Sequence, residues 1–428
     1  MGQYPKRDGD WMISGIEKTG FIVLAHREYR FFWLAAIFSN VGMWALVYGR
    51  LWLMHSLTDS PLWVGLTTTA SLGPLLLLSP FGGVVADRIN RLRFLRITRA
   101  VFAVLAIVTG VLIATDVLEP WHLLSISLVT GGLLAFDSPS RGAMLPALVP
   151  QHHLSSAIAL YSMIFGGASI LGPAAFAPLV EVWGLEGVFF VIGGLYWMTV
   201  ATLCFMKTDI HKPRTPSTSI FQGLVDGLKY VRRNQPVFAV ILMGIFMGVF
   251  GSSFEALLPI FSDSIVSGGI GIYSQLLLLE GVGGLLAMLG VAILGLKIHP
   301  GRFYVVAGIS FAFSLIALSR IDWLVGALVV IGIIGSCRVV FQTMGITLIQ
   351  TLTVDEFRGR VLSLDQLTWG SAALGGLIMG GIGQYVSVRF AMGFGGIVLA
   401  SAIVLLTSVF LKNFMGAQAP REVEDGDS

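Results

Sequence analysis

The sequence predicts an all-α polytopic membrane protein whose twelve transmembrane helices form two pseudo-symmetric six-helix bundles. Three observations lead there. Mean hydropathy is +0.83 and only 12% of the 428 residues are charged. Twelve apolar runs are long enough to cross a bilayer, and a weak internal repeat relates the two halves of the chain at an offset of about 203 residues. A soluble domain carries about 25% charged residues, so this chain could not clothe a water-facing surface. A soluble enzyme, a nucleic-acid binder and a disordered scaffold are thereby excluded. The two cysteines, Cys204 and Cys337, sit in apolar runs and do not make a disulfide framework.

A bilayer core about 30 Å thick needs roughly 20 apolar residues per helix. The runs that qualify are Arg30–Met54, Leu62–Val85, Phe94–Thr115, Trp121–Met144, Leu154–Val180, Val182–Met206, Pro236–Phe261, Ile270–Leu296, Phe303–Leu318, Asp322–Leu348, Val361–Tyr385 and Arg389–Leu411. They are continuous rather than alternating, which implies helices and not a barrel. The ninth, Phe303–Leu318, is the shortest. The first 28 residues are polar and of mixed charge, without the apolar core of a secretory leader, so Arg30–Met54 is expected to be a true span.

Charge sets the expected orientation. Of 27 Lys and Arg residues, 23 fall on the side of the termini, only Arg320 and Arg389 fall on the other, and Arg50 and Arg338 lie inside spans. Basic residues mark the cytoplasmic side, so both termini are expected in the cytoplasm of a multi-pass protein of the plasma (inner) membrane. The expected units are a cytoplasmic segment 1–29, a first bundle 30–206, a linker 207–235, a second bundle 236–411 and a cytoplasmic tail 412–428. Within the linker, Ser219 is a candidate N-cap, and Ile220, Leu224, Leu228 and Val231 share one face of an amphipathic helix. That helix either lies on the membrane surface or is an ordinary solvated connector.

The repeat is clearest before spans five and eleven, where "LVPQHHLSSAIALYS" corresponds to "TLTVDEFRGRVLSLD", Leu171-Gly172 to Leu374-Gly375 and Gly193 to Gly396. A parallel six-plus-six repeat points to a transporter that rocks one half against the other around a midplane site.

The most specific segment is "GGVVADRINRLR" between spans two and three, a Gly-x-x-x-Asp-Arg-x-x-Arg-x-Arg pattern formed by Gly83, Asp87, Arg88, Arg91 and Arg93. Gly83 admits a close helix neighbour, Asp87 suits a helix N-terminus, and the arginines can pair with a carboxylate in one state and release it in another. With this loop the sequence resembles the major facilitator superfamily. "FDSPSRGAMLPALVP" (136–150), "ILGP" (170–173), "LIQTLTVDEFRGRVLSL" (348–364) and "GLVDGLKYVRRNQP" (223–236) resemble its branch of drug and siderophore exporters, which includes enterobactin exporters and macrolide efflux proteins. The loop after span eight, "GLKIHPGRF", lacks the Asp, and Ala174-Ala175 stands where a Gly-rich continuation is expected. The resemblance implies the major facilitator fold, a central cavity lined by spans one, four, seven and ten, and a proton-driven antiporter.

An ionisable residue inside a span costs several kcal/mol unless it is paired or hydrated. Arg50, Glu255, Glu280 and Arg338 are therefore candidates for the proton-coupling and substrate cavity, with Asp137 and Arg141 joining the gating motif. Glu255 is expected to bind the coupling proton and Arg50 to act as its switch or to anchor an anionic substrate; a static Arg50–Glu255 pair is the plainer reading. Glu280 is the second candidate proton carrier. Asp137 is expected to latch the cytoplasmic gate by pairing with Arg88 or Arg91; the plainer reading is a local pair with Arg141, four residues on. Gly172 and Pro173, with Gly166 and Gly167, suit tight packing and a bend in span five. Trp44, Trp52, Phe246, Phe250 and Trp369 are candidates for an apolar substrate wall.

No phosphate-binding loop, no Gly-x-Ser-x-Gly element and no Cys/His set at ligand spacing around His152-His153 is present in the sequence. The expectation is a monomer and not an enzyme, with no cofactor and no metal. Its partners are a small-molecule substrate, protons as coupling ion and membrane lipids, and not nucleic acid. Its function is secondary active export of a small amphipathic molecule. An uptake symporter, a uniporter and a transport-inactive sensor of the same fold stay open.

Overall fold

The computed structural model describes residues 20–88, 90–207, 220–265, 269–294 and 299–414, and no strand occurs among them. After a short turn at Gly20–Ala25 come α1 (Arg27–Thr58), α2 (Pro61–Arg88), α3 (Arg91–Ala114) and α4 (Pro120–Leu148). Local chemistry sets the boundaries. Asp59 adopts a left-handed conformation (φ 48°) and its N–H closes on the His55 carbonyl, which ends α1. The Asn90 side chain accepts the Arg93 N–H at 2.9 Å and starts α3. Pro120 opens α4, where its missing N–H costs nothing.

Spans five and six form one continuous helical stretch, α5 (Leu154–Cys204), of 51 residues. At about 1.5 Å per residue that is roughly 77 Å, more than twice a membrane core. A break at Gly184 (φ 70°, ψ 176°) turns it into two crossings. The linker helix is α6 (Ile220–Arg233). Span seven consists of α7 (Gln235–Phe246), a widened π turn at Met247–Ser252 and α8 (Phe254–Asp263). There follow α9 (Gly269–Leu294), α10 (Pro300–Leu318), α11 (Leu324–Leu352), α12 (Asp355–Gly370), α13 (Ala372–Tyr385) and α14 (Val388–Phe414).

Ten stretches among the described residues are long and apolar enough to cross a membrane. One of them, Gln151–Cys204, holds two of the spans read from the sequence. The eleventh span is divided between α12 and α13, of 16 and 14 residues, neither long enough alone. The short ninth span gains a turn because α10 begins at Pro300.

The packing repeats. In the first half α2 lies along α4 and α3 along α5; in the second half α9 lies along α11 and α10 along α14. Two seams join the halves, α2 against α13 and α5 against α9. The first is built from small residues. A Cβ at Gly65 would collide with the Gly376 carbonyl oxygen, and one at Gly380 would come within 2.8 Å of the Pro61 carbonyl oxygen. Without side chains to hold them apart the two backbones touch, and Thr69 donates to the Ala373 carbonyl at 2.7 Å. At the end of the bundle carrying the Asp59–Ser60 turn, Ser60 donates to Gln384 Oε1 at 2.6 Å. The opposite end carries Asn90 and α6, which packs on α12.

Candidate functional site

Each half buries its own ionic group. In the second half Arg338 of α11 is shared by two acids on different helices. It donates to Glu255 of α8, and its Nη1 stands 3.0 Å from Glu280 Oε1 of α9. The Glu280 side chain is 1% exposed, against 15% for Arg338 and 20% for Glu255. Among the described residues neither Glu280 oxygen has a hydrogen-bond partner. With both acids ionised the cluster carries one negative charge in excess. Glu255 is placed just past the π turn, a kind of helix irregularity frequent at functional sites.

Arg50 does not meet Glu255, contrary to the expected pairing. Its Nε donates to the Leu46 carbonyl at 3.2 Å, and its Nη1 donates to Thr130 Oγ1 at 2.7 Å and Ser127 Oγ at 3.3 Å, both on α4. The reason is azimuth. Trp52 stacks on Tyr273 of α9 with ring centroids 5.3 Å apart, so that face of α1 looks at the second half. Arg50 is two residues away, about 200° round the helix, and points into the first half.

Asp137 is held by two arginines, one of them the Arg141 of the local reading. It is fully buried on α4, pairs with Arg99 of α3 and, at 2.8 Å, with Arg141, and accepts the Thr98 hydroxyl at 3.1 Å. The side chain of Arg88 lies outside the described residues; the local Asp137–Arg141 pair is present, with Arg99 added. Depth explains this. Asp137 lies eleven residues before the end of α4, about 16 Å in, and Arg99 lies about 12 Å into α3, whereas Arg91 is at its first turn. Arg141 also donates to Tyr161 at 3.1 Å, and Arg99 faces the Phe102 and Tyr196 rings at 5.4 and 5.8 Å. Arg91 is half-buried and Arg93 is exposed. The side chains of Gly83, Asp87 and Arg88 lie outside the described residues.

Gly172 sits against α1, where a Cβ would come within 3.1 Å of the Trp44 Cβ, and Pro173 follows inside α5. Among the described residues no neighbour outside the helix's own backbone comes within 4 Å of the corresponding position at Gly166 or Gly167. Of the aromatic candidates, Trp44 and Trp52 are buried, Phe246 and Phe250 pack partly buried, and Trp369 is 41% exposed.

Several groups escaped the sequence reading. Arg99 is one of the basic residues that the charge count assigns to the side of the termini, yet it lies inside α3. His55 and Asp263 lie at the ends of spans one and seven, yet His55 Nε2 stands 2.7 Å from Asp263 Oδ2 across the two halves. Tyr273 donates to the Tyr48 carbonyl at 3.2 Å, again across the halves. The His55–Asp59 spacing of four was the one visible signal.

Comparison with known proteins agrees with this architecture. A family model described as "Transmembrane secretion effector" matches residues 18–425. The staphyloferrin A transporter of Staphylococcus aureus (strain NCTC 8325 / PS 47) is 23% identical over 353 residues, covering 82% of this chain and 88% of the relative. The enterobactin exporter EntS of Escherichia coli O1:K1 / APEC is 25% identical over 420 residues, covering 95% and 97%. Among solved structures, a POT family transporter in complex with 5-aminolevulinic acid superposes with a TM-score of 0.71 at 11% identity, covering 90% of this chain and 96% of that one. A bacterial homologue of the human lysosomal transporter Spinster, inward-facing and unoccupied, gives 0.67 at 14% identity, covering 90% and 98%. Such low identities speak for the fold alone. Twelve predicted spans, two repeated halves and a match across nearly the whole chain lead to one assignment: the chain belongs to the transmembrane secretion effector family of the major facilitator superfamily, and is a multi-pass membrane transporter.

Proposed function

We propose that this transporter exports a small amphipathic molecule of the siderophore or drug type in exchange for protons, by alternating access, and that it works as a monomer. The observation that carries the proposal is the single guanidinium of Arg338 shared by Glu255 and Glu280. Two carboxylates and one cation in a low-dielectric interior are one proton short of neutrality, and a buried carboxylate accepts that proton more readily than an exposed one. Motion that moves Arg338 toward one acid frees the other for protonation, and the reverse motion expels the proton. The exporter name of one relative and the transporter name of another support the substrate class.

In this reading residues 30–206 and 236–411 are the rocking bodies and 207–235 the linker, with both termini in the cytoplasm. The end tied by His55–Asp263 and Ser60–Gln384 then faces outward and is closed. Gly83, Asp87, Arg88, Arg91 and Arg93 form the cytoplasmic gate, with the Asp137–Arg99–Arg141 group as the anchor against which it moves. Gly172 and Pro173 hold span five against span one.

The test is flux in proteoliposomes under an imposed pH gradient, with enterobactin as the trial substrate. The wild type moves it opposite to the protons, and the Glu255→Gln/Glu280→Gln double variant loses the dependence on the gradient. A double variant that kept full gradient dependence would disprove the coupling site.

A further inference from the structure

The arginines of the helical interior are not equivalent. Arg99 and Arg141 share Asp137, and Arg338 holds Glu255 and Glu280. Arg50 is as deeply placed, 5% exposed, and its partners are a carbonyl and two hydroxyls. Among the described residues no carboxylate lies within ion-pairing distance of it. The Glu255–Arg338–Glu280 cluster thus carries one negative charge in excess and the Arg50 site one positive charge, besides the one positive charge by which Arg99 and Arg141 exceed Asp137. A proton can cancel the first. Only an anion can cancel the second, because a guanidinium does not give up its proton under physiological conditions.

The surroundings fit an anion in reversible occupancy. Thr130 and Ser127 present two hydroxyl groups at the guanidinium from α4. Each also donates or can donate to an oxygen, so both can turn toward an incoming carboxylate or phenolate. Arg50 and Glu255 each lie eight residues before the ends of α1 and α8, which places them at similar depth. α1 packs on the second half through the face that carries Trp52, and Arg50 lies on its other face, in the seam between α1 and α4 of the first half.

We propose that Arg50, with Ser127 and Thr130, is the site that takes the anionic group, carboxylate or catecholate, of the transported molecule. The inference rests on the transport reading above and divides its labour: anion on the first half, proton on the second. A retained, uncompensated cation also has a stability signature. Removing it should strengthen the fold while removing the ligand response, the pattern expected of a binding residue and not of a structural one.

The experiment uses the full chain purified in detergent. Thermal unfolding is followed against increasing citrate or 2,3-dihydroxybenzoate, with ionic strength held by sodium chloride. For the wild type a saturable rise in Tm is expected, because a ligand of the native state raises its apparent stability. Arg50→Met should unfold at a higher temperature than the wild type without ligand and require at least a tenfold higher concentration of either probe for the same shift. Ser127→Ala/Thr130→Val, which leaves all charges in place, should weaken the response several-fold and covers the case in which Arg50→Met fails to fold. Glu280→Gln should keep the response, so failure of proton coupling and failure of anion binding are read separately. The proposal falls if neither probe shifts the wild type, if chloride alone reproduces the shift, or if Arg50→Met responds like the wild type.

Discussion

His55 of α1 and Asp263 of α8 join the two halves through a 2.7 Å hydrogen bond at the end marked by the Asp59–Ser60 turn. His55 is 5% exposed and Asp263 45%, and the other ring nitrogen of His55 stands 3.6 Å from Asp59. One imidazole thus lies between two acids, one from each half. Asp263→Asn should loosen this end of the bundle. Because Asp263 is substantially exposed, the expected cost is modest, about 1 kcal/mol, or roughly a fivefold change in the balance between closed and open states. The rate at which a maleimide modifies Ser60→Cys, with and without Asp263→Asn, measures it; an unchanged rate would mean that the pair does not hold the halves together.

The Glu255–Arg338–Glu280 cluster should respond very differently to single and concerted changes. Arg338→Met leaves two carboxylates facing each other away from water, and a loss of about 3–5 kcal/mol is expected. The triple variant Arg338→Met/Glu255→Gln/Glu280→Gln removes every charge and should recover most of that loss. Thermal unfolding in detergent separates the two. Equal destabilisation by both would show that the charges are not coupled.

Asp137 is shared by two arginines, and the group keeps one positive charge in excess. Asp137→Asn leaves Arg99, 1% exposed, without its carboxylate, and a cost of about 3 kcal/mol or more is expected. Lowered Tm and reduced yield of folded protein in detergent are the readouts. If the substitution lowered transport while leaving Tm unchanged, Asp137 would be a gate element and not a structural anchor.

The seam between α2 and α13 depends on missing side chains. Gly65→Val places two methyl groups where the Gly376 backbone already stands. The first and second halves are then forced apart along the closed end, and at least a tenfold loss of transport is expected. Leu76→Val, farther along the same helix where Gly370 packs, is a smaller change and should be nearly silent. Flux in proteoliposomes compares the two.

Much of the fold was legible along the chain. Crossing a bilayer demands long apolar stretches, and their count and the one-sided placement of Lys and Arg can be read without knowing which helix touches which. Two features blurred the count in space: Gly184 breaks one continuous helix into two spans, and Ser371 divides another into two short helices. Glu255, Glu280, Arg338, Arg50 and Asp137 were found for a similar reason, since a charge in an apolar run stands out.

Who pairs with whom was decided only by the tertiary structure. Pairing depends on the azimuth of a side chain and on its depth in the membrane relative to a neighbour remote in sequence. Arg50 misses Glu255 because it points from the opposite face of α1 to the one that carries Trp52. Asp137 reaches Arg99 because the two lie at similar depth on adjacent helices. Hydropathy and charge by themselves determined that the chain is a multi-pass helical membrane protein with ions in its interior. The packing of helix faces decided that the acids share Arg338 while Arg50 stands without one, because a contact between helices depends on rotation and register, which the linear order of residues does not specify.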